Sequence, residues 1–152
     1  MVRVTALNDK YTQQLLDVVL KYEGEECASQ LQKSVQSIKP TEEILVCIDV
    51  ETDNVIGYSK TTALLHGVLQ LDYIYVIPPF RRDTNGSIIL VAVYNRAVNQ
   101  MVVGLLAECL ETNDCGNAFL QKRGFLLGKN ENGVNFYTKS LMHMYIPHKH
   151  DD

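Results

Sequence analysis

Apolar residues change their spacing repeatedly along the chain, and each change predicts a new element. Arg3–Leu7 reads as a short strand. Asn8 or Asp9 then caps a helix whose apolar positions, Leu15, Leu16, Val19 and Leu20, recur at helical intervals. Gly24 interrupts that helix, and Glu25–Ile38 forms a second one with Cys27, Leu31, Val35 and Ile38 on its apolar face, ended by Pro40. Glu43–Val50 is apolar and β-branched, and Thr52-Asp53-Asn54 supplies the turn into a second such run, Val55–Leu65. His66-Gly67 breaks the run. A third strand, Leu69–Ile77, stops at Pro78-Pro79, because proline has no N–H to give a ladder.

The second half switches period. Ser87–Asn99 is a helix whose first half is apolar almost all round, so it must lie buried on a sheet. Met101–Leu110 reads as a buried strand, and strand, helix, strand in that order implies a right-handed crossover between parallel strands. Asn113 or Asp114 caps a last helix through Arg123, with Gly124 as its left-handed terminator. Leu126–Lys129 and Val134–Ser140 flank Asn130-Glu131-Asn132-Gly133, a hairpin turn, and a polar tail follows. The order β, α, α, β, β, β, α, β, α, β, β predicts one α/β (α+β) domain over 1–142 and a tail over 143–152.

Composition narrows the partners. A chain of 152 residues, 46% hydrophobic, has the size of one domain with its own core. Its formal net charge of -4 gives no general attraction to nucleic acid or anionic membrane. No apolar run reaches the roughly 20 residues that span a bilayer. The four cysteines form no CxxC pair, and residues 1–10 lack the apolar run of a signal peptide, so free thiols in a cytoplasmic setting are expected. His148 and His150 lie in a charged tail and are read as solvated; no metal site is expected.

Four local patterns then fall in a telling order. Asn54-Val55-Ile56-Gly57 opens a strand, and Ile74-Tyr75-Val76-Ile77-Pro78 ends one. Arg81-Arg82-Asp83-Thr84-Asn85-Gly86 leads into the central helix, and the segment from Asn113 carries Phe119, Lys122, Gly124 and Phe125 at fixed offsets. Together they resemble the GNAT superfamily of N-acetyltransferases from about Val2 to Leu141. The resemblance implies a mixed, mostly antiparallel sheet of about seven strands with about four helices on both faces. It also implies acetyl-CoA as co-substrate and, as acceptor, a small-molecule amine or a protein amino group. By the same resemblance Arg81, Arg82, Asp83, Thr84, Asn85, Gly86 and Ser87 would surround the pyrophosphate. Tyr75 and Val76 would meet the acyl end, the Val76 N–H polarising the thioester carbonyl, and Asn113 and Phe119 would contact the same ligand. Such a loop needs small residues so that phosphate can approach main-chain amides at a helix N-terminus.

The chain departs from the family at three places. Thr84 stands where the first loop glycine is expected, Gly116 replaces an alanine, and Leu120 replaces the tyrosine whose hydroxyl protonates the leaving thiolate in many relatives. For the base, Asp72 is the carboxylate within the strand Leu69–Val76 and His66 lies in the turn before it; Tyr73 and Tyr75 could stand in for the missing acid. Strict alternation would place Gln70, Asp72, Ile74 and Val76 on one face and Leu71, Tyr73 and Tyr75 on the other. Two readings stay open: an active N-acetyltransferase, and a catalytically inactive binding, structural or assembly module of the same fold. A strand edge could also pair with a second copy.

Overall fold

The computed structural model describes residues 1–81 and 84–145. The chain divides into two compact units, one made of Met1–Thr62 with Asp72–Val93 and the other of Ala63–Leu71 with the chain from Tyr94 onward. A seven-stranded sheet runs in the order β1-β2-β3-β4-β5-β7-β6, antiparallel except at β4–β5, and four α-helices accompany it among the described residues. This is the mixed, mostly antiparallel architecture expected. No described helix is long and apolar enough to cross a membrane.

In the first unit, β1 (Val2–Ala6) pairs antiparallel with β2 (Glu42–Asp49), which pairs with β3 (Asn54–Ala63). Helix α1 (Asp9–Glu23) starts at Asn8, whose side chain accepts from the Lys10 amide, and α2 (Glu25–Gln36) follows after Gly24. Gly24 has φ 98, a conformation that a residue with a Cβ resists, so the chain reverses there and α1 ends on Glu23. Tyr11, Leu15, Val19 and Leu31 pack against Ile44, Val46, Ile48, Val55 and Tyr58. The Tyr11 hydroxyl donates to Asp53 (2.7 Å) and accepts from Arg3 (2.9 Å), fastening α1 to the β2–β3 turn.

Strand β4 (Val68–Val76) ends in one turn of 3₁₀ helix, Pro78–Phe80, and α3 (Asn85–Asn99) starts five residues later. Cys47, Ile56, Val76, Ile77 and Ile89 form a second cluster of the unit, which brings the first turns of α3 onto the end of β4. The register of β2 and β3 slips after Cys47, which pairs with Gly57 while Ile48 pairs with Val55. Ile56 is the extra residue of that bulge, and its carbonyl accepts the Ile77 amide (2.9 Å).

In the second unit, the parallel ladder of β4 with β5 (Gly104–Leu110) runs from Val68↔Gly104 to Leu71↔Ala107. Strand β7 (Val134–Ser140) pairs with β5 and with β6 (Leu126–Glu131), and Asn132 (φ 54) and Gly133 (φ 80) make the two-residue turn. Helix α4 (Asp114–Lys122) closes at Gly124, as expected. Most expected boundaries shift by one or two residues, and two of the shifts have a local cause. The strand placed from Met101 begins at Gly104, because the amides of Met101 and Val102 turn back to Val98 and Ala97 and cap α3, with Met101 itself left-handed (φ 62). Helix α2 stops at Gln36 rather than Ile38, consistent with the restriction that Pro40 puts on Lys39. Of the expected tail, Met142–Tyr145 forms a 3₁₀ turn whose Tyr145 hydroxyl donates to the Val102 carbonyl; residues 146–152, with His148 and His150, lie outside the described residues.

Gly57 has a steric task. A Cβ there would sit 2.7 Å from the Tyr75 carbonyl oxygen and 3.1 Å from Ile89 Cδ1. Gly57→Ala is therefore expected to cost about 1–3 kcal/mol by overpacking, lowering the melting temperature by several degrees in a thermal scan. A variant that melts with the wild type would refute this close approach.

Candidate functional site

The site of the first unit is built where β4 ends. The Ile77 N–H is donated to β3, and successive N–H groups of a strand point to opposite edges, so the Val76 N–H and C=O point away from β3. Arg81 reaches back along that edge: its Nε donates to the Val76 carbonyl (2.7 Å), and its guanidinium stands over the Tyr75 ring, 5.0 Å from the centroid. The β4–β5 ladder ends at Leu71, so β4 continues through Asp72–Val76 beyond it.

The loop into α3 follows directly. The buried Asn85 side chain donates to the Phe80 carbonyl (3.1 Å), fixing the helix start against the 3₁₀ turn. The Ile88 amide donates to the Thr84 carbonyl, so Asn85 and Gly86 hold the first-turn amides that precede the first intrahelical bond, and Ser87 lies on the same turn. Thr84 has φ 59. A β-branched residue in the left-handed region is strained, and here it takes up the conformation that the family's glycine would adopt freely. Arg82 and Asp83 lie outside the described residues.

The proposed catalytic side chains separate. Asp72 accepts from the Thr62 hydroxyl and pairs with Lys60 (3.3 Å), which also pairs with Glu42 (3.2 Å), making a cross-strand charge cluster. Tyr73 stacks on Tyr58 (6.2 Å between centroids), and Tyr75 lies 6.3 Å from the same ring. Tyr58, Lys60 and Thr62 recur at period two on one face of β3, yet they contact Asp72 as well as Tyr73 and Tyr75. The expected alternation of Asp72 against Tyr73 and Tyr75 therefore fails. The strand slips by one residue between them, as a bulge does. His66, exposed and left-handed (φ 63), belongs to the second unit.

That slip turns both tyrosines toward a residue that the sequence reading passed over. Glu23, half-buried at the end of α1, accepts from the Tyr58 hydroxyl (3.2 Å). Burial pushes its carboxyl above the usual range, against the opposing pull of Tyr58 and Arg81. Burial likewise raises the phenols of Tyr58, Tyr73 and Tyr75, which stay neutral near pH 7. The available signal for Glu23 was its place directly before Gly24, at the break between two helices.

In the second unit, Asn113 serves α4. Its Oδ1 accepts the Gly116 amide (2.9 Å), and a Cβ on Gly116 would meet the Asn113 side chain at 2.6 Å and Cys109 Sγ at 2.9 Å, which explains glycine in place of alanine. Phe119 is half-buried under the Arg123 guanidinium, and Leu120 is buried. Among the described residues no group of three or more His, Cys, Asp and Glu could hold a metal.

Relief of the Thr84 strain should be measurable. Left-handed strain of roughly 1–2 kcal/mol exceeds the roughly 0.5–1 kcal/mol entropic disadvantage of glycine. Thr84→Gly is expected to raise the melting temperature slightly, and a lower one would contradict the strain.

No known protein family and no curated protein matches the chain. Solved structures do. An acetyltransferase of the GNAT family from Staphylococcus aureus superposes with TM-score 0.77 at 16% identity, over 93% of this chain and 99% of that one. The PaiA N-acetyltransferase of Thermoplasma acidophilum, solved with coenzyme A, gives 0.74 at 13%, over 92% and 99%. The ribosomal-protein-S18-alanine N-acetyltransferase of Escherichia coli gives 0.75 at 13%, over 93% and 94%. At these identities the likeness establishes architecture, and the chain has the fold of the GNAT acetyltransferases.

Proposed function

We propose that the chain is an N-acetyltransferase that moves the acetyl group of acetyl-CoA to an amine. The observation that carries this reading is the junction of β4 with α3. There Arg81 is held along the edge where Val76 points its N–H, and Thr84 sits in a glycine's conformation one residue before the helix start. A strained turn that delivers a helix N-terminus and a guanidinium to one place suits an anionic pyrophosphate. The coenzyme A bound in the Thermoplasma structure supports the same ligand class. Arg81, Thr84, Asn85, Gly86 and Ser87 would hold the phosphates, with Arg82 and Asp83 in the same loop; Asn113 and Phe119 rest on resemblance alone. The four free thiols, Cys27, Cys47, Cys109 and Cys115, suit a cytoplasmic setting.

Acetyl-CoA supplies an activated thioester carbonyl. The chain contributes position and hydrogen bonds: the Val76 N–H donates to the carbonyl oxygen as negative charge grows there, and a base removes the acceptor's ammonium proton. The amine nitrogen bonds to the carbonyl carbon, the carbon–sulfur bond breaks, and the thiolate takes a proton. Leu120 has no hydroxyl to give that proton, and its burial in the core favours a second reading, a module of this fold that binds CoA without turnover.

Acetyl-CoA at 100 times its dissociation constant is expected to stabilise the protein by about 2.7 kcal/mol, a rise of roughly 5–10 °C in melting temperature. Gly86→Glu should abolish the rise by placing an anion in the loop, and retained affinity would show the loop misassigned. No shift with millimolar acetyl-CoA would sink the transferase reading and leave a structural or assembly module of the same fold. A shift without thiol release across a panel of primary amines and peptides would leave the binding module.

A further inference from the structure

The first unit contains a half-buried carboxylate that feels the Arg81 guanidinium but forms no ion pair among the described residues. Glu23 ends α1, and its hydrogen bond comes from a neutral phenol, Tyr58. The groups that face this cluster are Tyr58 from β3, Tyr73 and Tyr75 from β4, Arg81 after β4, and Cys27 from α2. A half-buried carboxylate given one neutral donor is under-compensated. The surrounding rings cannot neutralise it, but their faces attract cations and repel anions. Tyr73 is 44% exposed, so the cluster opens to solvent beside it.

We infer that Glu23 and the rings of Tyr58, Tyr73 and Tyr75 form a subsite for the ammonium group of the acceptor, and that Glu23 takes its proton. The inference rests on the acetyl-transfer reading and names the acceptor class: a primary amine that is cationic in solution. The proton passes from nitrogen to the carboxylate, leaving a neutral amine and a carboxylic acid that later loses the proton to water. The two charges of the site are then divided by the tyrosines. Arg81, on Tyr75, serves the phosphate-bearing donor, and Glu23, on Tyr58, serves the cationic acceptor. The phenols, kept neutral by burial, leave Glu23 as the base of the cluster.

The test uses butylammonium, with butyrate and 1-butanol as controls at equal ionic strength, on the full chain without CoA. Saturable shifts of the Glu23 carboxyl and Tyr73 ring resonances are expected with butylammonium alone, and Glu23→Gln should weaken that binding at least tenfold. Equal response to butyrate, or unchanged affinity in Glu23→Gln, would overturn the subsite. Folding is read independently. The folded carboxyl titrates above the unfolded one, so its contribution to stability is complete below the ordinary carboxylate range and is lost as pH rises through the raised value. Glu23→Gln should thus melt at or above the wild-type temperature at pH 7, and the difference should vanish below about pH 4; a lower melting point at pH 7 would contradict the under-compensated carboxylate. With acetyl-CoA, the variant should keep the wild-type thermal shift while the rising limb of kcat/KM with pH disappears and Glu23→Asp partly restores it. A normal limb in Glu23→Gln overturns Glu23 as base. Loss of the CoA shift in the wild type, with butylammonium still bound, would instead overturn the transferase reading.

Discussion

The approach of two backbones at Gly57 is the constraint on which the rest of the site depends. Strand β3 bulges there, and its missing side chain lets the Tyr75 carbonyl and Ile89 come within a distance no Cβ would tolerate. The Ile77 amide is then spent on Ile56, which turns Val76 to the opposite edge. Pro78 and Pro79 stop the strand, the 3₁₀ turn returns Arg81 to the Val76 carbonyl, and α3 starts against Phe80 through Asn85. One small residue thus sets both the direction of an N–H group and the place of a helix N-terminus.

Charge on the first unit is arranged in two different ways. Around Lys60, opposite charges lie together: Glu42 and Asp72 flank one ammonium group between strands, a self-sufficient cluster. Around Glu23 no ion pair forms among the described residues; the carboxyl lies beside phenols, and Arg81 pulls on it without pairing. The contrast separates the strand carboxylate, Asp72, from the helix-end carboxylate, Glu23.

The departures from the GNAT pattern have distinct physical consequences. Thr84 is held left-handed (φ 59), a conformation that strains a β-branched residue. Gly116 accommodates the cap of α4, where Asn113 and Cys109 already fill the space of a methyl group. Leu120 is different, for it removes a hydroxyl and adds only core packing.

Short-range signals in the chain determined the order of elements, the places where α1 and α4 are capped, the hairpin turn within Asn130–Gly133, the terminator at Gly124 and the proline stop after β4. Each of these depends on a few neighbouring residues, whose φ/ψ preferences and side-chain caps act locally. Boundaries already escaped that logic at Met101, where a non-glycine residue was forced left-handed by the closing of α3. The site escaped it further. Alternation placed Asp72 and Tyr73 on opposite faces, but a slip in β4, visible only through its contacts with β3, puts both on one. Glu23 meets Tyr58 across 35 residues of sequence. Such a pair depends on strand register and on how helices rest on the sheet, and neither is a property of any local window of residues.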